Sequence, residues 1–210
     1  CNIEVPSDIS SSAFFMVAAS IAKEADITLL AVNVNPTRTG VINILQLMGA
    51  NIELINERLE AGELIADIRV CSSKLKGIKI PESLVPLAID EFPAIFIAAS
   101  CAKGETVLTG AKELRVKESD RIQVMADGLS SLGIENEVLD DGIKIVGGEF
   151  KEQLAPIKSH HDHRISMSFA VASVRSSFEI NIDGVENVKT SFPNFVELAN
   201  SIGMSITETS

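Results

Sequence analysis

The sequence predicts an α/β fold made of about three repeated βαβαββ units, with buried parallel helices walled by sheets. Three observations predict it. The order strand–helix–strand–helix–strand–strand returns at a period of roughly 70 residues, the mark of one supersecondary unit repeated. Each unit carries one apolar, small-residue helix: "AFFMVAASIA", "AIFIAASCA" and "MSFAVASV". Helices that are apolar all round belong inside. Finally, the first two units end in a paired-strand pattern with turn residues at its middle.

The elements follow in order from apolar periodicity. "NIEV" is a short strand, and Ser7 or Asp8 caps a helix over residues 9–22. "ITLLAV" (27–32) is a strand, and "TGVINILQLMG" (39–49) is a helix stopped by Gly49. "NIELINERLE" and "ELIADIRVCS" are strands joined at Ala61–Gly62. The second unit gives a strand at 77–80, a helix over 84–102 made irregular by Pro86 and Pro93, and a strand at 106–110. A helix from about Lys117 to Leu132 follows, with Ile122, Met125, Leu129 and Leu132 on one face and Gly133 as its stop. "IENEVLDDGIKIVG" is a hairpin turning at Asp141–Gly142. The third unit gives a strand near 154–158, a helix from His163, the strand "FEINIDG", a helix over 193–202 and the strand "MSITET". No linker or low-complexity stretch interrupts the 210 residues, so they read as one domain.

With no Trp or Tyr and only nine Phe, the core must be aliphatic. The net charge of −11 repels nucleic acid and anionic membranes, so any bound anion needs a local cluster of cations. Cys1, Cys71 and Cys101 are odd in number and widely spaced, which reads as free thiols in a reducing, cytoplasmic setting. No apolar run is long enough to span a bilayer, and no signal peptide is visible. The chain opens at Cys1 without a Met, which reads as a domain or proteolytic piece of a longer protein.

Four constellations carry chemistry. In "ELRVKESDRI", Arg115, Lys117, Glu118, Asp120 and Arg121 crowd one helix start. One reading is a solvated helix start, with Glu118 paired to Arg121. The other places an anion between Lys117 and Arg121, relieving both their repulsion and their conflict with the helix dipole. In "HHDHRIS", the three histidines of the chain, His160, His161 and His163, flank Asp162 and precede Arg164. A metal site is the weaker reading, since a run at a helix start points its side chains apart. An anion site with Asp162 as cap, His163 as donor and Arg164 as fork competes with plain capping. In "IDEFP", Asp90 and Glu91 either cap a buried helix or supply a general base. In "NPTRTG", Arg38 belongs to a turn or binds an anion; "SDISSS" caps or contacts phosphate. If the inner helices are parallel, their N-termini form one anion-attracting surface for a small polyanionic substrate.

"LRVKESDRI", "HDHRISMSFAVA", "TSFPNF", "PSDISSSAFF" and "NPTRTG" together resemble the 5-enolpyruvylshikimate-3-phosphate synthase (3-phosphoshikimate 1-carboxyvinyltransferase) family, in order and across essentially the whole chain. "NPTRTG" and "DEFP" resemble its class II subgroup, which includes glyphosate-tolerant members. The resemblance implies two similar domains of three βαβαββ units each, with the active site in the cleft between them. This chain then corresponds to the C-terminal half, and the absent N-terminal domain is its partner and carries most shikimate-3-phosphate contacts. The implied reaction moves enolpyruvyl from phosphoenolpyruvate to the 5-hydroxyl of shikimate 3-phosphate with release of phosphate, a step in aromatic amino-acid biosynthesis, and needs no metal or organic cofactor.

The same resemblance assigns roles. Asp90 takes or orients the 5-hydroxyl proton. Lys117 contacts that hydroxyl and the leaving phosphate, and Glu118 exchanges a proton at the methylene carbon. Arg121 and Arg164 grip anionic groups, and His163 assists. Two positions depart from the family pattern: Thr190 stands where many members have Lys, with Lys189 one residue earlier, and Glu113 replaces an Asn. The alternatives are a non-catalytic anion-binding module of the same fold, and a metal enzyme built on the histidine run.

Overall fold

The computed structural model describes residues 5–209. Helix α1 (Ile9–Ile21) is followed by β1 (Asp26–Asn33), α2 (Gly40–Leu47), β2 (Asn51–Glu60) and β3 (Glu63–Cys71). The second unit holds α3 (Phe92–Ser100), β4 (Glu105–Leu108), α4 (Arg121–Ser131), β5 (Asn136–Leu139) and β6 (Gly142–Val146). The third holds β7 (Ile157–Lys158), α5 (His163–Ala172), β8 (Ile182–Asp183), α6 (Val188–Ser191) and α7 (Phe195–Ser201).

The strands form antiparallel sheets β1–β3–β2 and β4–β6–β5 and a parallel pair β7–β8. The repeat is visible in its parallel contacts. Ser7 bridges Val32, Lys79 bridges Val107, and Ile157 pairs with Ile182, each joining the start of a unit to the strand after its inner helix. The β2–β3 turn falls at Ala61–Gly62, where both residues take positive φ as a tight two-residue hairpin requires.

The three small-residue helices are the inner ones. Each of α1, α3 and α5 packs against the other two. All nine residues of α3 are buried, as is every residue of α1 except Ser11. Two of their buried serines are satisfied within the helix: Ser20 donates to the Met16 carbonyl at 2.7 Å and Ser100 to that of Ile97 at 2.8 Å. A hydroxyl spent this way costs little in an apolar interior. Around this core, α4 buries Ile122, Met125 and Leu129, with Leu132 buried just beyond its end. Phe192 and Phe195 of the "TSFPNF" segment stack on Phe14 and Phe15 of α1 at centroid distances of 5.9–6.2 Å. Each such pair contributes about 1 kcal/mol beyond its buried area.

Where α4 crosses α5, Gly128 admits the ring of Phe169: a Cβ there would lie 2.2 Å from its Cζ. Phe169 is fully buried and has nowhere to go. Gly128→Ala therefore destabilises the chain by about 1–3 kcal/mol, despite alanine's better helix propensity. Urea unfolding reads this directly, and an unchanged midpoint would refute it.

Several expected boundaries move. The strand at 77–80 is reduced to isolated bridges, and the helix over 84–102 begins only at Phe92. Pro86 lies in a stretch of turns after a 3-10 turn at Glu82–Leu84, while Pro93 sits in the first turn of α3, where a missing N–H is harmless. The second hairpin turns at Asp140–Asp141, one residue early. Residues 204–209 form no strand. The expected strand at 2–5 lies, but for Val5, outside the described residues, as does Cys1; Cys71 and Cys101 are free thiols. Among the described residues no helix is long and apolar enough to cross a membrane.

Candidate active site

Three helix N-termini meet at one end of the core, each capped by an aspartate. Asp8 accepts from the Ser11 N–H at 2.8 Å, Asp120 from that of Gln123 at 3.0 Å, and Asp162 from that of Arg164 at 3.0 Å. These caps fix where the chemistry-bearing residues beside them stand.

Asp120 decides the geometry of "ELRVKESDRI". It starts α4 at Arg121, so Lys117, Glu118 and Ser119 lie in an extended loop rather than in the expected helix. Lys117 and Arg121 do not share a helix face. The loop instead folds them onto one acceptor: Lys117 Nζ and Arg121 Nη1 lie 3.3 and 3.2 Å from Asp90 Oδ1. Arg115 stays outside this cluster. It bonds Asp120 at 2.7 Å and the Asp140 carbonyl at 2.8 Å, tying the loop to the β5–β6 turn.

Arg121 is 1% exposed, and each of its guanidinium nitrogens faces a carboxylate. Nε donates to Asp162 Oδ2 at 2.9 Å, Nη1 to Asp90 and Nη2 to Glu118. Asp162 is wholly buried and also accepts from Ser119 Oγ at 3.0 Å. Burial raises its pKa, but the hydrogen bond and charge of Arg121, aided by the Arg164 N–H and Ser119, outweigh this and hold it below 3.8. Arg164 Nη1 grips the carbonyl of Asp90 at 3.1 Å. Burial also pushes the Asp90 carboxyl upward, and the charges of Arg164, Lys117 and Arg121 pull it down further, leaving it below the ordinary carboxylate range. Lys117 is held charged above its usual range, first by its bond to Glu113 and then, against desolvation, by Asp90.

His163 opens α5 and is half-buried. Desolvation, with the charge of Arg164, lowers its pKa below 6.5, so it is neutral at pH 7. It lines a pocket of about 180 Å³ with Arg164, Asp8, Ser11 and Phe192. Of the sequence-derived candidates, the structure brings Asp90, Lys117, Glu118, Arg121 and Arg164 into one hydrogen-bonded cluster and places His163 at its edge. Lys189 is exposed and paired to Glu208. The histidine run does not converge. His160 and His161 both take positive φ, and His161 faces Glu186 at 3.1 Å. Among the described residues no three His, Cys, Asp or Glu side chains are grouped to hold a metal ion.

Two features escaped the sequence. Asp162 is more than a cap, since it is also the buried partner of Arg121. Neither Asp90 nor Glu91 caps α3; Glu91 is buried against Ser10 instead.

The arrangement is suited to a multiply charged anion. Lys117, Arg121 and Arg164 are preorganised around Asp90, and the acids an incoming anion would displace are the exposed Glu113 and Glu118, not buried Asp162.

Comparison with known proteins points the same way. The family described as "EPSP synthase (3-phosphoshikimate 1-carboxyvinyltransferase)" matches residues 1–198. The 3-phosphoshikimate 1-carboxyvinyltransferase of Vesicomyosocius okutanii is 75% identical over 98% of this chain and 47% of its own length. That of Hydrogenovibrio crunogenus is 62% identical over 98% of this chain and 46% of its own length. A solved EPSP synthase from Acinetobacter baumannii superposes with a TM-score of 0.94 at 59% identity, over 100% of this chain and 48% of that one. The chain spans about half the length of the relatives it matches, and with its helix-start cluster and repeated βαβαββ core it belongs to the EPSP synthase family.

Proposed function

We propose that the chain is the C-terminal half of a two-domain 3-phosphoshikimate 1-carboxyvinyltransferase and supplies one wall of its active site. The observation that carries this is the convergence of Lys117 and Arg121 on one Asp90 oxygen, with Arg164 on the carbonyl of the same residue. In the addition step, the 5-hydroxyl oxygen of shikimate 3-phosphate bonds to C2 of phosphoenolpyruvate. The hydroxyl proton leaves toward Asp90, and C3 gains a proton from Glu118. In the elimination step, C3 returns a proton to Glu118 as the bond from C2 to the phosphate oxygen breaks, and the proton held by Asp90 passes to the departing phosphate, so both carboxyls are reset. Lys117 balances the charge on the departing phosphate. Arg121 and Arg164 hold the anionic groups of phosphoenolpyruvate, and neutral His163 offers a hydrogen bond.

The depressed pKa of Asp90 fits this role. Without substrate, three cations keep it ionised. Substrate anions seated against those cations cancel part of their field, so the carboxylate becomes a stronger base when it is needed.

Mixing this chain with the separately produced other half, phosphoenolpyruvate and shikimate 3-phosphate is expected to release phosphate. The chain alone releases none, and Glu118→Ala lowers the rate at least about 100-fold. Turnover by the chain alone would refute the divided site. No release from a pair shown to assemble would leave a fold that binds anions without catalysis.

A further inference from the structure

Glu91 is 2% exposed, yet its side-chain carboxylate accepts none of the N–H groups at the start of α3. Burial raises its pKa, so a carboxyl group here is costly for the fold. Among the described residues the carboxylate's hydrogen-bond partner is Ser10 Oγ, at the start of α1. Ser10 Oγ also accepts from Arg38 Nη2 at 2.8 Å. A hydroxyl has a single proton, so the direction is set: Arg38 donates to Ser10, and Ser10 donates to Glu91. Arg38 Nη2 lies 3.9 Å from Glu91 Oε1, and its side chain is half exposed.

The loop carrying Arg38 touches the Asp90–Glu91 turn a second time. The Gly40 N–H donates to the Leu87 carbonyl at 3.1 Å. A Cβ on Gly40 would lie 2.6 Å from that carbonyl, so only glycine permits the approach. Residues 85–91 form no regular helix but a run of turns closed by backbone bonds such as Ala88 N–H to the Val85 carbonyl and Glu91 N–H to that of Ala88. Three polar contacts tie these turns to neighbouring elements: Gly40 at Leu87, the relay at Glu91, and Arg164 at the Asp90 carbonyl. Asp90 sits between the last two.

We propose that Glu91 is a positioning residue for Asp90, anchored through Ser10 by Arg38, so that the "NPTRTG" loop sets the aim of the catalytic carboxylate without touching substrate. This rests on the role of Asp90 proposed above.

The test is steady-state kinetics of the complete two-half enzyme. Arg38→Ala is the leading variant, because a half-exposed side chain is removed without opening the core. We expect kcat to fall about tenfold with both KM values within twofold, as misplacement of a reacting group does. Glu91→Ala falls about 100-fold. Glu91→Gln, which keeps an oxygen for Ser10 to donate to, stays within about threefold of wild type. Ser10→Ala combined with Arg38→Ala is no worse than the more severe single variant, because both break one relay. Full kcat in Arg38→Ala overturns the proposal, and so does a KM rise at unchanged kcat, which would put Arg38 on substrate. Equal losses in Glu91→Gln and Glu91→Ala also overturn it. Should Glu91→Ala not fold, Arg38→Ala and Glu91→Gln decide alone. An inactive wild-type enzyme would refute the proposed function instead.

Discussion

Asp162→Ala is expected to lower the unfolding free energy of the chain by about 3–5 kcal/mol at pH 7. The reason lies on the other side of the bond. Arg121 is 1% exposed, and its Nε faces Asp162 alone. Removing the carboxylate leaves half a buried guanidinium without a counter-charge, a larger cost than the pair's own net worth. The same change uncaps α5 and frees Ser119, adding about 1 kcal/mol for the cap. The effect has a pH signature. The folded pKa of Asp162 lies below its ordinary 3.8, so the unfolded chain binds the proton more readily. Its contribution is complete above about pH 5. It fades as the pH falls through 3.8 and is gone below the folded pKa. Urea titrations of wild type and variant should therefore differ most near neutrality and converge on acidification. A loss under about 1 kcal/mol at pH 7 would show that Arg121 finds other partners and that Asp162 is only a cap.

The sequence yields local features well, because they are written in neighbouring residues. Asp8 and Asp162 cap where side-chain chemistry says they should, and the all-apolar helices are the inner ones. Ala61–Gly62 turns where two left-handed residues are needed. Failures came where two local signals competed or where a distant partner decides. Lys117 fits the start of a helical pattern, but Asp120 is the stronger cap and starts α4 only at Arg121. Residues 84–91 follow an apolar pattern, but Pro86 and packing against Gly40 hold them in turns. The strands of β1 and β2 are bulged at Ala31 and Asn56, both bonded by the Asp67 side chain, and nothing in their sequence announces it. At the site, the residue types and helix starts were legible. The pairing of Arg121 with Asp162, and of Glu91 with Ser10, was not, since these bonds span 41 and 81 positions.

Asp90→Asn is the change with the largest expected effect on activity, and it should move two properties in opposite directions. As the proposed acceptor of the 5-hydroxyl proton, Asp90 contributes what a general base does, so the complete enzyme should lose about 10²- to 10⁴-fold in kcat. Asparagine keeps the shape and an oxygen for Lys117 and Arg121, so the fold should survive. The charge balance changes, however. Lys117 and Arg121 now share an oxygen of Asp90. Without that negative charge, they and Arg164 attract an entering anion more strongly. Inorganic phosphate should then bind the variant several-fold more tightly than wild type, about 1 kcal/mol by the usual conversion, and the gain should shrink with added salt because Asp90 and Lys117 are partly exposed. Phosphate titration by calorimetry and turnover of the complete enzyme read the two halves separately. Weaker phosphate binding would mean Asp90 chiefly holds the cations in place. Retained turnover would mean the hydroxyl proton leaves by another route.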